Sequence, residues 1–472
     1  MPFLTYSRAL QLKKELCGTD AEVITPDDEH YVEGITRFSE SSEREAGAIV
    51  QVTSSHEVSI VVNFATQRHI PLVVQGGGFS TSGSSSTHGG LVISMSKMNK
   101  IFIDPASRTL AAQAGATWED VDRVAARSGL AVVGCTTNHT SVGGTALGGG
   151  YGWLTGRYGL IIDNLLNIKM VLADGTITTA SVTQNPDLFW AARGAGQDFG
   201  IATELVFKAH PQANQVFGGL LYFTIDQLAG IMEFVNRFDQ LTTGNEGLLF
   251  GFNKPPFQEN STIFAIPFYN GPHQDAEKFF RPLLSLEPIV NETTMMLYPE
   301  INTLLNKAAK FGGRKRFGAT NMTLPLDVEF MAELYKDFDK IMEMYPRVNE
   351  SVVVFELLPY TEVVKVPNDA TAFANRGKYY NVGSIFCWHA PELDSKMRSL
   401  QQAMMQRIGE QVGVARSSEL GHGVGIYANY AGHEASARDL FGENLPRLQE
   451  LKMRYDPDNV FRRWHDLFLH GT

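Results

Sequence analysis

Two runs of sequence decide how this chain folds. They are Val73-Val74-Gln75-Gly76-Gly77-Gly78-Phe79-Ser80-Thr81-Ser82-Gly83 and Val142-Gly143-Gly144-Thr145-Ala146-Leu147-Gly148-Gly149-Gly150-Tyr151-Gly152. Both fall within residues 71–160, a stretch that holds 17 of the 44 glycines on 90 of the 472 positions. Glycine permits φ > 0 and lets a backbone approach another group closely. Composition alone is satisfied by flexible surface loops, but the flanking residues argue otherwise. Residues 57–68 carry Val58, Val61, Val62 and Ala65 at helical spacing, and 71–74 read as a short strand. Residues 90–94 read as a buried strand, and 101–103 with 110–114 as a hairpin across a polar turn. Thr117 opens a helix with Asp120 three residues on, a variant of the capping box, and Val121, Val124 and Ala125 form its apolar stripe. Glycines at such strand-to-loop junctions aim N–H groups at an anion, so a phosphate-bearing ligand is expected.

Familiar phosphate loops do not fit. No stretch supplies the G-x-x-x-x-G-K-[ST] of a P-loop. Gly194-Ala195-Gly196-Gln197-Asp198-Phe199-Gly200 has one spacer too many for the dinucleotide fingerprint, and 201–207 look like a strand where that motif needs a helix. A Rossmann fold is rejected.

With 40 basic against 51 acidic side chains the net charge is −11. That balance argues against nucleic acid, whose phosphates are bound by clustered Lys and Arg. Hydrophobic residues at 43% and charged residues at 19% exclude wholesale disorder. Cys17, Cys135 and Cys387 are too few and too scattered for a disulfide framework or a CxxC metal site, so no metal is expected. No apolar run approaches about 18 residues, and the opening residues lack the apolar core of a secretory signal. The expectation is a cytoplasmic protein with no membrane partner. The sequence is silent on oligomeric state.

The order of the pieces resembles the PCMH-type FAD-binding domain of the vanillyl-alcohol oxidase and berberine-bridge superfamily. Besides the two glycine runs, the resemblance is carried by Asn138-His139-Thr140, 153–160, Asp163-Asn164, 172–175, 185–190 and 193–196. Tyr427-Ala428-Asn429-Tyr430 and Tyr455-Asp456-Pro457-Asp458-Asn459-Val460-Phe461 match the C-terminal signature of the berberine-bridge branch. The chain resembles the 6-hydroxynicotine-oxidase-like members and related biosynthetic oxidases of that branch. The resemblance implies an α+β architecture. A two-subdomain FAD domain would span 1–211, a substrate domain with an antiparallel sheet covered by helices on one face 212–430, and a returning C-terminal segment 431–472. It also implies that FAD is wrapped by Gln75, Gly76, Gly77, Gly78, Phe79, Ser80 and Gly83. Thr137, His139, Thr140, Val142, Gly143, Gly144, Gly148, Gly149, Tyr151 and Gly152 would complete the wrapping, with Ile201 at the adenine end and Asn429 near the flavin.

Three positions depart from the family. Where many members have a histidine bonded to the flavin, this chain has Phe79, which has no nucleophilic nitrogen. Alignment through 148–152 puts Thr137 at the site of the second attachment residue, a cysteine in bicovalent members, and leaves Cys135 as a small buried thiol. Gly383 lies near the site of a catalytic glutamate. FAD is therefore expected to be non-covalent, and the proton acceptor must lie elsewhere or be unnecessary.

In the second half, 216–223, 247–252, 262–269, 352–357 and 380–388 read as strands, and 226–238, 275–286, 327–345 and 391–412 as helices. Strand parity turns Val353, Phe355 and Leu357 toward the helices and Glu356 toward the cavity. On 380–388 it leaves Asn381, Gly383 and Ile385, with Tyr379, on the open face as candidate substrate contacts. Candidate catalytic residues are Glu356, His422, Tyr427 and Tyr430, since a carboxylate in an apolar cavity moves toward a useful base pKa. The expected activity is oxidation of a small, secondary-metabolite-like molecule by hydride transfer to FAD, with O2 as reoxidant. The alternative is a non-redox cyclase or isomerase that retains FAD as a shaping cofactor.

Overall fold

The computed structural model describes residues 4–348, 350–414, 423–432 and 434–468. Three sheets organise them. The first has strand order Glu22–Ile24, Ala48–Gln51, Leu91–Ser94, Leu72–Gln75, with the last three parallel to one another. The second runs Ile101–Asp104, Thr109–Gln113, Ile201–Pro211, Leu165–Val171, Ile177–Ser181, all antiparallel, with Leu130–Val132 added beside Ile201–Pro211. The expected helix forms as Ser55–Gln67, where Ser54 Oγ accepts from the Glu57 amide. The Thr117–Asp120 capping box closes in both directions at the start of Trp118–Ala126.

The third sheet is nine-stranded and antiparallel. Its main path is Val290–Asn291, Leu221–Phe223, Thr262–Tyr269, Glu246–Asn253, Val352–Leu357, Tyr380–Trp388, Arg314–Met322. One face packs Val353, Phe355, Leu357, Val382 and Phe386 into a single core with Ile231, Phe280, Phe338 and Ile408. These last four come from the helices Leu228–Asn236, His273–Leu284, Val328–Met344 and Asp394–Val412. Each such fully buried side chain contributes about 1.5–3 kcal/mol relative to exposure. The other face sets Leu249, Ile266, Val352 and Val354 against the core of the first half. The alternation read from the sequence holds, and it faces Glu356 toward the first half of the chain.

Three elements differ from the sequence reading. The strand expected over 216–223 breaks into Val216–Gly218 and Leu221–Phe223, because Gly219 takes φ +147 where the Glu292 backbone crosses it. The helix expected over 226–238 becomes Leu228–Asn236 followed by Phe238–Leu241. Arg314–Met322 was not anticipated, since its polar sequence has no apolar alternation for a strand reading to find. No described helix is long and apolar enough to cross a membrane.

Candidate active site

The two glycine runs converge. A Cβ on Gly76 would sit 2.6 Å from Ser141 Oγ, and one on Gly77 would sit 3.1 Å from the Ser141 amide nitrogen. The seam between them opens into a long cavity. At one end the wall is Gly200, Ile201, Phe461, Arg463 and Trp464; in the middle it is Gly76 to Thr81, Ser84, Ser85, Thr140, Ser141 and Gly143 to Thr145; at the other end it is Cys135, Tyr151, Phe317, Tyr427 and Tyr430. In a chain of net charge −11, none of these lining residues is an aspartate or glutamate, and Arg463 is the one cation among them. A carboxylate-free wall of small residues, hydroxyls and backbone is what a dinucleotide diphosphate requires. The aromatic far end suits a flat heterocycle, so the residues present fit FAD.

Of the residues expected to hold the cofactor, Gly76, Gly77, Gly78, Phe79, Ser80, Thr140, Gly143, Gly144, Tyr151, Ile201 and Asn429 lie on this wall. The others are displaced from it for visible reasons. Gly148 backs onto the Asn429 side chain, Gly149 onto Phe373, and Gly152 onto the Gly134 carbonyl, so these glycines serve backbone packing. Val142 is core, Gly83 is a turn at φ +79, and Gln75 ends its strand behind the loop. Thr137 uses its carbonyl to accept from Thr140 Oγ1. His139 is pinned at both ring nitrogens, to Asn306 Oδ1 and the Ala309 carbonyl, each at 2.7 Å. Cys135, set aside by the alignment, is on the wall, and burial pushes its thiol pKa up. Sequence reasoning also missed Phe317, on the unanticipated strand, and Arg463 and Trp464, beyond the signature it quoted. The hydroxyls at Ser82, Ser84 and Ser85 were legible as a serine-rich run after the first glycines.

Phe79 packs in an aromatic cluster with its ring centroid 5.0 Å from Phe38, 5.1 Å from Phe311 and 5.0 Å from His139. Phe317 stacks between Phe38 at 5.7 Å and Tyr430 at 5.9 Å. Tyr430 donates its phenol proton to Glu356 Oε1 at 2.8 Å, while Glu356 Oε2 is buried with no hydrogen-bond partner among the described residues. Burial pushes the Glu356 carboxyl up to about 7, against the lowering effect of Tyr430 and Asn381, and the same desolvation raises both tyrosines. Asn429 Nδ2 donates to Tyr427 Oη at 2.8 Å and to the Thr145 carbonyl at 3.0 Å, which ties this end to the second glycine run. The four residues expected to touch substrate lie off the cavity wall. Gly383 lies under the Tyr430 ring, Ile385 pairs with Phe317, and Tyr379 and Asn381 belong to a buried polar chain behind Glu356. His422 lies outside the described residues.

Fold and cavity together define an FAD-binding flavoprotein. The family model of the FAD binding domain matches residues 46–181, and that described as berberine and berberine like matches residues 426–465. The FAD-linked oxidoreductase pgmH of Aspergillus terreus is 32% identical over 96% of this chain and 94% of its own. The FAD-linked oxidoreductase hasG of Aspergillus fumigatus is 29% identical over 94% of this chain and 96% of its own. Among solved structures, 6-hydroxy-D-nicotine oxidase of Arthrobacter nicotinovorans has a TM-score of 0.80 at 22% identity, covering 95% of this chain and 98% of that one. Physcomitrella patens BBE-like 1 has a TM-score of 0.84 at 18% identity, covering 98% and 100%. The chain belongs to the FAD-linked oxidoreductase family, and FAD is its cofactor.

Proposed function

We propose that this enzyme oxidises a small, secondary-metabolite-like molecule, with non-covalently held FAD as the hydride acceptor and O2 as the final oxidant. FAD supplies the redox chemistry when bound; the chain supplies position and proton handling. On this reading residues 1–211 hold the cofactor, 212–430 carry the substrate face, and 431–472 close the adenine end through Phe461, Arg463 and Trp464. Gly76 to Ser80 and Gly143 to Thr145 cradle the diphosphate with amides and hydroxyls.

The observation that carries the reading is Tyr430, which lines the cavity and donates to a buried carboxyl behind it. As an activated C–H gives up a hydride, the neighbouring O–H or N–H proton passes to Tyr430 Oη while the Tyr430 proton passes to Glu356 Oε1. Tyr430 ends neutral and Glu356 ends protonated. A carboxylate poised near neutrality suits that task. Phe79, Phe317, Tyr427 and Tyr151 exclude water and favour a flat aromatic or allylic substrate. Non-covalent attachment is supported by the carbon-only ring of Phe79 and by the raised pKa of Cys135, because the thiolate is the nucleophile.

Acid precipitation of the yellow holoprotein tests attachment: colour in the supernatant supports the reading, and colour in the pellet overturns it. Anaerobic mixing with a panel of benzylic and allylic alcohols, phenols and cyclic amines tests the chemistry. Bleaching of the flavin by a panel member, reversed by air with hydrogen peroxide formed, is the expected result. A product of unchanged oxidation level, formed without oxygen uptake, would instead assign a cyclase or isomerase.

A further inference from the structure

Behind Glu356 a chain of buried polar groups runs in one direction. It begins at the Gly425 amide, which donates to Tyr379 Oη at 3.1 Å. A backbone N–H cannot accept, so the Tyr379 proton points elsewhere, and among the described residues it goes to Asn375 Oδ1 at 2.7 Å. With that oxygen committed, Asn375 Nδ2 donates to Asn381 Oδ1 at 3.0 Å. Asn381 is then left with its amino group toward the neighbouring strand, where Glu356 is its register partner. The orientation of a side-chain amide is ordinarily ambiguous. Here the backbone donor at one end is met by one consistent orientation of both asparagines, in which each amide oxygen accepts and each amino group donates onward. All four side chains, Tyr379, Asn375, Asn381 and Glu356, are no more than 5% exposed.

The origin of the chain is itself fixed. Gly425 takes φ +73, and its carbonyl accepts from Asn321 Nδ2 at 2.9 Å. Asn321 stands opposite Asn381 on the Arg314–Met322 strand, so Asn321, Asn381 and Glu356 form one row across three strands. Two residues beyond Gly425 the chain enters the Tyr427–Tyr430 segment that carries the phenol partner of Glu356. One glycine thus anchors both sides of the pair.

We infer that Tyr379, Asn375 and Asn381 are positioning residues that present an amide donor to Glu356 and hold it as the proton acceptor. This rests on the reading of Glu356 as the terminal base. It moves Tyr379 and Asn381 from substrate contacts to support of the base, and it adds Asn375. Among the described residues the ionisable groups facing Glu356 are Tyr430, Tyr427 and Cys135, all neutral near pH 7, with no cation among them. Against the cost of burial, the Tyr430 hydroxyl and the Asn381 amide are therefore what favours the carboxylate.

The test is an infrared pH titration of the FAD-loaded protein, with Glu356→Gln as the subtraction. A protonated-carboxyl band that titrates near pH 7 and is missing from Glu356→Gln is expected. Asn381→Ala should move its midpoint up by about one pH unit, and Asn375→Ala and Tyr379→Phe should move it up by less. Tyr379→Phe removes a single oxygen and keeps the test open if an alanine variant fails to bind flavin. A midpoint that stays put or falls in a flavin-loaded variant overturns the inference while leaving the base reading intact. A role confined to stability lowers the melting temperature and leaves the midpoint where it was, which is also a refutation. No Glu356-dependent band in the unmodified protein overturns the base reading itself.

Discussion

Gly383 lies directly beneath Tyr430: a Cβ on this glycine would sit 3.2 Å from the tyrosine ring. Gly383 pairs with Val354, two residues from Glu356 on the same face of the neighbouring strand. The glutamate that the family resemblance puts near this position is a glycine here. On the proposed mechanism its task falls to Glu356 one strand away, and the space above Gly383 is filled by an aromatic ring whose hydroxyl reaches Glu356. Gly383→Ala forces the ring to shift by a few tenths of an ångström in a packed site. Overpacking of this kind costs about 1–3 kcal/mol. We expect flavin reduction to slow roughly tenfold or more with unchanged FAD affinity. Stopped-flow absorbance and flavin titration read the two separately, and an unaffected reduction rate would refute the close fit.

Glu356→Gln keeps the shape of the site and, on the proposed mechanism, removes the proton acceptor. The rate should fall by about 10²–10⁴, as for loss of a general base. On that mechanism the acceptor works as a carboxylate, and burial raises the Glu356 carboxyl to about 7, so activity in the unmodified enzyme should rise as pH passes upward through about 7. That rise should vanish in Glu356→Gln. A pH profile of anaerobic flavin reduction decides it; an acid limb retained by the variant would place the base elsewhere.

How far the sequence could be read depended on the kind of signal each part carried. The glycine runs, the Thr117 capping box and the parity of residues 352–357 were local patterns, and each is present as read. Glu356 was legible because alternation alone decides which way it faces. The Arg314–Met322 strand was not, because its neighbours are supplied from far away. Ser39 Oγ exchanges hydrogen bonds with the Lys315 backbone, and Thr81 Oγ1 accepts from the Phe317 amide. With that strand went Phe317 and Asn321. The buried amide chain was illegible for the same reason, since Asn375 and Gly425 meet only through tertiary structure. Thr137 stood in for Cys135 on the cavity wall because spacing was carried across a loop whose backbone course the sequence does not give.

Arg463 should hold the negatively charged adenosine diphosphate half of the cofactor, being the one cation on a wall without carboxylates. It is exposed, so its attraction to phosphate is screened and should contribute only about 1 kcal/mol. Arg463→Ala should weaken FAD binding about fivefold to tenfold, and Arg463→Lys should recover part of the loss. Quenching of flavin fluorescence at low and high salt measures both, and the gap should narrow as salt rises. Equal affinities at low salt would remove Arg463 from the site.

Asp122 offers a test of stability that is independent of catalysis. Its side chain is buried beside the short Tyr298–Ile301 helix; Oδ2 accepts from Asn302 Nδ2 at 2.8 Å, and Oδ1 has no partner among the described residues. Burial, with Glu119 adding like charge, pushes its carboxyl up to about 8. A folded pKa above the unfolded one means the unfolded chain releases its proton first. Stability from this site is therefore complete below the ordinary carboxylate range and is lost as pH rises toward about 8. Asp122→Asn is neutral throughout, so its melting temperature should gain several degrees on that of the unmodified protein between pH 5 and pH 8. Melting curves across that range decide it, and parallel pH profiles for the two proteins would show that Asp122 stays ionised in the fold.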